Sequence, residues 1–322
     1  MKQGKVFYEG SLWGHRKRDH AGRELRIHRT FLWGGREWYV PAVYVCARGL
    51  VMDLCVSAEA EAMKAFVEKW LPYEKQRDIP EEVREEMERE RPLRMDLRAE
   101  LHCNGRLLRE AHASGSGWVP ESCAWEGYQN EDAACRFVSH YGLDREKAWG
   151  FRRVMFPWDT KRGQREISSL TVKLQEHPVT FSGPCFESQE GKVTFQHPFS
   201  GKEYTLTVLE EKEDALPESA FQREDMEYPR KCVALRYTVD PPHAGVQVRW
   251  RGKGDRPREK APSPHGPRAS NSAGVVILRR DGDAPTAVSA LYFTLPEKRQ
   301  WRIVVQEKTV NDEEFLLIED KK

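Results

Sequence analysis

The sequence predicts an α+β N-terminal domain, an antiparallel hairpin-based sheet with two or three helices, followed by an all-β sandwich-like domain. Three observations carry that prediction. The stretch EWYVPAVYVCARGLVMDLCV, residues 37–56, is the most apolar part of the chain and has the form of a β-hairpin. Apolar residues recur at helical spacing in three places before residue 142. From Arg165 onward, short alternating strands follow one another with almost no helical stripe between them. A chain of 322 residues is also long for one core, so the change of pattern divides it into residues 1–157 and 165–322.

In the hairpin, the runs 38–46 and 50–56 flank Ala47-Arg48-Gly49, a three-residue loop whose glycine can take a left-handed conformation. That loop pairs Cys46 with Leu50 and Val43 with Asp53, and sets Tyr44 opposite Met52. Pro41 has no N–H to give to a ladder and therefore belongs at an edge or a bulge. The first strand is apolar on both faces and expects cover on both. Alternation sets Leu50, Met52 and Leu54 on one face and Val51, Asp53 and Cys55 on the other. The carboxylate marks this second face as the less covered one, and the hairpin is read as scaffold with function elsewhere. Upstream, Val6-Phe7-Tyr8 reads as a short strand, and Leu25 and Ile27 belong to a strand that enters the hairpin through Gly34-Gly35.

Downstream, Ser57 is the N-cap of a helix over 58–70, whose stripe of Met63, Phe66, Val67 and Trp70 covers the hairpin and which Pro72 ends. A second helix, from Asp78 to about Glu90, lies on the surface. Residues 93–104 alternate strictly as a half-buried strand. Asn104-Gly105 then closes a two-residue turn that pairs Leu101 with Leu108 and Glu100 with Arg109. The run 114–117, SGSG, reads as a loop. A third helix, over 131–141, has Asn130 as N-cap, Gly142 as its stop and a stripe of Ala134, Phe137, Val138 and Tyr141. Residues 148–158, AWGFRRVMFPW, read as strand or as helix, and periodicity does not choose. The second domain's strands centre on Val172, Phe195, Leu206, Leu235 and Val248, then on 275–278, 288–295, 301–305 and 315–318. The basic, Pro- and Ser-rich segment 251–272 is expected to be a mobile loop within that domain.

Composition narrows the function. Lys+Arg 52 against Asp+Glu 51 gives a net charge of +1, so no overall field points to nucleic acid or to an anionic membrane. Seven cysteines, an odd number without a CxxC pair, fit a reducing cytoplasm, and no segment has the roughly 18 consecutive apolar residues of a membrane span. The N-terminal residues lack the apolar run of a signal peptide. Neither CxxC nor HExxH occurs, so no metal site is expected. GxGxxG, GxxxxGK[ST] and GxSxG are also absent, and no cofactor is expected.

Two clusters remain. Residues 1–48 hold ten Lys and Arg against four acids, and Trp13, His15, Arg16, Lys17 and Arg18 mix cations with an aromatic ring. That composition suits nucleic acid or an acidic partner, and equally a solvated loop. Arg152, Arg153 and Arg162 stand among aromatic residues and, with His140, suit a phosphate or carboxylate clamp, or simply guanidinium stems packed on rings. The expected function is a non-catalytic binding or interaction protein of the cytoplasm with a protein partner. The alternative is an enzyme that acts on an anionic small substrate at the domain junction through His140, Arg152, Arg153 and Arg162.

Overall fold

The computed structural model describes residues 4–9, 12–14, 20–74, 76, 79–126, 128–159, 166–217, 220–221, 226–259 and 284–319. In chain order the elements are β1 (Arg23–Trp33), β2 (Arg36–Val45), β3 (Gly49–Ala58), α1 (Ala60–Glu74), α2 (Glu81–Glu90), β4 (Leu97–Cys103), β5 (Arg106–Arg109), β6 (His112–Trp118), α3 (Asp132–Tyr141), β7 (Ala148–Pro157) and β8 (Leu170–Glu176). They continue with β9 (Val179–Phe186), β10 (Lys192–Gln196), β11 (Glu203–Ala215), β12 (Met226–Glu227), β13 (Lys231–Asp240), β14 (Val246–Trp250), β15 (Arg258–Glu259), β16 (Thr286–Val288), β17 (Trp301–Glu307) and β18 (Glu313–Ile318). The protein is mostly β, with several antiparallel sheets. Backbone proximity groups the chain into two compact units, Met1–Val179 with Lys308–Lys322, and Thr180–Glu307.

The first unit is built on a five-stranded sheet in the order β1-β2-β3-β7-β6 and a four-stranded sheet in the order β18-β8-β4-β5. The segment 148–157, ambiguous in sequence, is strand β7. It pairs along its whole length with β3 and, on its other edge, with β6, which makes it an interior strand. One face of the larger sheet buries Trp38, Leu50, Met52, Leu54, Val154 and Phe156 against Leu97, Leu101, Val172 and Leu174 of the smaller sheet. Its other face buries Cys55, Trp149 and Phe151 under Ala134, Phe137 and Val138 of α3. Val6 packs over Ala42, Tyr44, Val51 and Met155 on this same face, although residues 6–8 form no strand. The face read from its carboxylate as poorly covered is therefore sealed.

Several local expectations change once the packing is seen. The hairpin forms with its register one residue away from the expected one: Val45 pairs with Leu50, Tyr44 with Val51 and Val43 with Met52. Gly49 is not left-handed. A Cβ there would meet the carbonyl oxygen of Phe156 at 2.1 Å and Cε2 of Tyr8 at 2.3 Å, so the glycine is there for close approach. Pro41 lies in the register break between Tyr39 and Val43, as a residue without an N–H must. Helix α1 starts at Ala60 because Ser57 and Ala58 still belong to β3, and it continues past Pro72 to Glu74. Its Met63 packs with Val119, Cys123 and Ala148 rather than over the hairpin, whose helical cover is α3.

The Asn104-Gly105 turn pairs Leu101 with Leu108 and Glu100 with Arg109, as its sequence predicts. Both residues take positive φ, 48° and 76°. Strand β4 begins at Leu97 rather than at residue 93. The SGSG run is no loop but the middle of β6, paired with Arg153 to Gly150 of β7. Gly115 lets the backbones close, since a Cβ there would lie 2.9 Å from the Phe151 carbonyl oxygen. Gly142 ends α3 in the left-handed conformation. Asn130 does not cap that helix; its side chain instead accepts from the Val119 N–H and donates to the Val119 carbonyl, both at 2.8 Å. The strand 170–176, placed by its sequence with the second domain, pairs with β4 and with β18.

In the second unit, the sheets β10-β11-β13-β16 and β14-β17-β9 share one apolar layer. Phe195, Tyr204, Leu206, Val233, Leu235 and Tyr237 come from the first sheet, and Phe186, Val246, Val248, Trp301, Ile303 and Val305 from the second. The segment expected to be mobile is tied down over 251–259. Arg251 N–H donates to the Gln300 carbonyl, Asp255 N–H to the Leu291 carbonyl, and β15 pairs with β12. Its remainder, 260–272, and the expected strand at 275–278 lie outside the described residues. The expected strand at 288–295 ends at Val288.

Candidate functional site

The face of the five-stranded sheet that lies under α3 carries a buried polar network. Asp53 of β3 and Arg153 of β7 are directly opposite each other in the antiparallel register, so their side chains emerge on the same face. The guanidinium donates from Nε to Oδ1 and from Nη2 to Oδ2, each at 2.7 Å. Both residues are sealed from solvent, at 0% and 1% exposure. The remaining Nη1 donates to the Leu12 carbonyl. The guanidinium carbon lies 4.8 Å from the Trp13 ring, 5.1 Å from Phe137 and 5.8 Å from Tyr44, so aromatic faces occupy the space that water would fill.

A directed chain of hydroxyls leads away from the pair. An ionised carboxylate only accepts, so the Tyr141 hydroxyl donates to Asp53 Oδ2. The Tyr44 hydroxyl, 2.6 Å from that of Tyr141, then donates to it and is left to accept from His140 Nε2 at 3.3 Å. His140 Nε2 also lies 3.9 Å from Glu24 Oε2. Burial, and then the Asp53 charge, push both tyrosine hydroxyls well above their ordinary range, so they stay protonated and donating. Burial works against the Arg153 charge, but Asp53 overrides it and holds the guanidinium more firmly protonated than a free arginine. The guanidinium, the carboxylate and both hydroxyls along this path each have at least one partner. The arrangement locks α3 and the N-terminal segment to the sheet.

The structure brings together Trp13, His140 and Arg153 among the residues singled out in sequence. Trp13 Nε1 donates to the Ala133 carbonyl at 3.0 Å, and its ring packs edge-on against Phe137 and His140 at 5.2 and 5.5 Å. Arg152 is not part of the group. Successive strand residues point to opposite faces, and Arg152 instead donates to Glu110 Oε1 at 2.6 Å and to the Met95 carbonyl at 3.3 Å. His15, Arg16, Lys17, Arg18 and Arg162 lie outside the described residues. Sequence reasoning missed Tyr44 and Tyr141, and it set Asp53 aside as lying on a poorly covered face. The available signal was a lone acid in one apolar strand and an arginine pair, Arg152-Arg153, in another.

A cleft of about 360 Å³ opens elsewhere in this unit, lined by Gly35, Arg36, Glu37, Ser57, Ala58, Glu59, Ala62, Pro92 and Lys147. It is where the β1–β2 turn, the end of β3 and the start of α1 meet. Carboxylates and cations face each other in it. Lys147 Nζ lies 2.9 Å from Glu59 Oε1, and the Ser57 hydroxyl donates to Glu37 Oε1 at 3.4 Å. The hydrogen bond to Glu59 raises the Lys147 pKa. Arg36 reaches to the Arg94 carbonyl, and its burial there lowers its pKa. No histidine or cysteine is among the lining residues, and the group beside the Ser57 hydroxyl is the Glu37 carboxylate. No protein-family model, curated protein or solved structure matches the chain.

Proposed function

We propose that this chain is a non-catalytic binding protein and that the cleft beside α1 is its recognition site, receiving a segment of a partner protein that carries side chains of both signs. The observation behind the reading is the Glu59–Lys147 ion pair, with Arg36 and Glu37 as further charges of either sign, around a cavity of about 360 Å³, a size that accommodates one or two side chains. Charges of both signs on a partner would exchange with this pair and meet the two further charges. The cytoplasm is the setting proposed for it. In the same reading, residues 180–307 form a sandwich-like second domain, supported by the apolar layer common to its two main sheets.

The alternative, an enzyme acting on an anionic small substrate through His140, Arg152, Arg153 and Arg162, draws less support. Arg152 and Arg153 are each tied to a carboxylate, on opposite faces of one strand.

The test is a swap that keeps the ion pair but inverts the pattern of the cleft, Glu59→Lys with Lys147→Glu. Wild type and swap are used in parallel to capture partners from native lysate. A protein held by the wild type and lost by the swap is the expected result. Identical capture by both, or none by either, overturns the reading.

A further inference from the structure

Three strand ends of the second unit bring together a set of side chains that neither the buried network nor the cleft uses. His197 follows β10, His243 lies in the turn between β13 and β14, and Glu307 is the last residue of β17. One ligand atom from each lies within 4.8 Å of the other two. His197 is 2% exposed, and its Nε2 is 2.7 Å from Glu307 Oε2. Despite that distance, neither atom has a hydrogen-bond partner of acceptable geometry among the described residues, and both are cut off from solvent. A buried imidazole nitrogen and a buried carboxylate oxygen left in this state each cost stability, and a third group seated between them removes both deficits.

The surrounding contacts fix which atoms face inward. His197 Nδ1 is turned toward the backbone N–H groups of Phe199 and Ser200, at 3.3 and 3.2 Å. His243 Nδ1 is turned toward the Gly245 N–H at 3.1 Å. That leaves Nε2 of each ring as the atom available for a ligand. Tyr204 packs against both rings, with centroids 5.7 Å from His197 and 5.5 Å from His243, and the two imidazoles are 5.1 Å apart. The rings are thus held in place by packing before any ligand arrives.

We propose that His197, His243 and Glu307 form a binding site for a divalent transition-metal ion, with Zn²⁺ as the best match. Two imidazole nitrogens and one carboxylate oxygen are a donor set for zinc and its first-row neighbours, and they leave a fourth position for water. The set contains no thiolate, which disfavours Cu(I), and two nitrogens disfavour Mg²⁺ and Ca²⁺. Binding carries a specific consequence for the turns. An imidazole that gives its Nε2 lone pair to a metal carries its proton on Nδ1, so the N–H groups of Phe199, Ser200 and Gly245 must turn away from the rings. The three N–H groups, now 3.1 to 3.3 Å from the rings, then need water or another acceptor, a cost that the metal bonds must exceed. Acid opposes binding because the ion competes with protons for both rings.

The test uses the full-length chain, stripped with chelator and titrated with Zn²⁺ and, for its visible spectrum, with Co²⁺. One equivalent of each ion is expected to bind. Backbone amide resonances of Phe199, Ser200 and Gly245 shift with Zn²⁺, and the thermal midpoint rises with the logarithm of ligand excess. His243→Gln and Glu307→Gln each weaken binding by more than about tenfold. Because the wild-type titration and amide shifts need no variant to fold, the proposal stays testable even if a substitution destabilises the unit. No binding of either ion overturns it, as does binding that survives both substitutions or leaves those three amides unmoved.

Discussion

Arg153 grips Asp53 with two parallel hydrogen bonds of 2.7 Å across the β3–β7 pair, and neither side chain reaches solvent. Two charges taken fully out of water persist only as a pair. Asp53→Ala strands a buried guanidinium and is expected to cost about 3–5 kcal/mol in urea-induced unfolding. Asp53→Leu combined with Arg153→Met, which removes both charges and refills the volume, is expected to restore most of that loss. A double variant no more stable than Asp53→Ala would refute the pairing argument.

Two glycines separate close approach from backbone conformation. At Gly105 an added Cβ has open space, but φ is +76°. Gly105→Ala therefore costs the left-handed penalty, about 1–2 kcal/mol. At Gly49 the conformation is ordinary, while the Phe156 carbonyl and the Tyr8 ring lie within 2.3 Å of the new atom. Gly49→Ala pushes β3 away from β7 and costs about 3 kcal/mol or more. Chemical denaturation of the two variants should rank them in that order.

Alkali is expected to loosen the first unit. Burial raises the Cys46 thiol from 9.0 to about 11, and burial raises Tyr44 as well. Each group's folded value lies above its unfolded one, so its contribution is complete below the unfolded value and is lost as pH rises toward the folded one. For Cys46 the window is pH 9.0 to about 11. Thermal midpoints measured across this window should fall for the wild type, and less steeply for Cys46→Ala.

Asn130 satisfies both backbone polar groups of Val119 with one amide, at 2.8 Å each. Asn130→Ala leaves both without that partner and is expected to destabilise by about 1–3 kcal/mol. Asn130→Asp keeps an acceptor for the N–H but turns a second oxygen toward the carbonyl. It should therefore be no better than Ala at neutral pH, and should recover part of its stability in mild acid, where the protonated carboxyl can donate. Unfolding curves at two pH values distinguish the outcomes.

Elements whose cause is local were legible in the sequence. Asn104 and Gly105 both tolerate positive φ, so the turn and the pairing of Leu101 with Leu108 follow from two residues. The stripe of α3 and its glycine stop were equally plain, because helix periodicity and a left-handed terminus are written within ten residues. The SGSG run of β6 was not legible. Glycine and serine have little intrinsic preference for a strand, and what holds them there is the backbone of β7, far along the chain.

Composition and periodicity determined by themselves that this is a β-rich chain in which three amphipathic helices accompany the early strands. Those properties depend on residues a few positions apart. Tertiary structure alone decided the hairpin register, set where Gly49 meets Phe156 and Tyr8, and the burial of Asp53, possible only because Arg153 arrives from a strand 100 residues away. It also decided the meeting of His197, His243 and Glu307, one from each of three strand ends. Alternation along a strand tells which face a side chain is on; what covers that face, and which charge waits there, is settled only when distant strands pack.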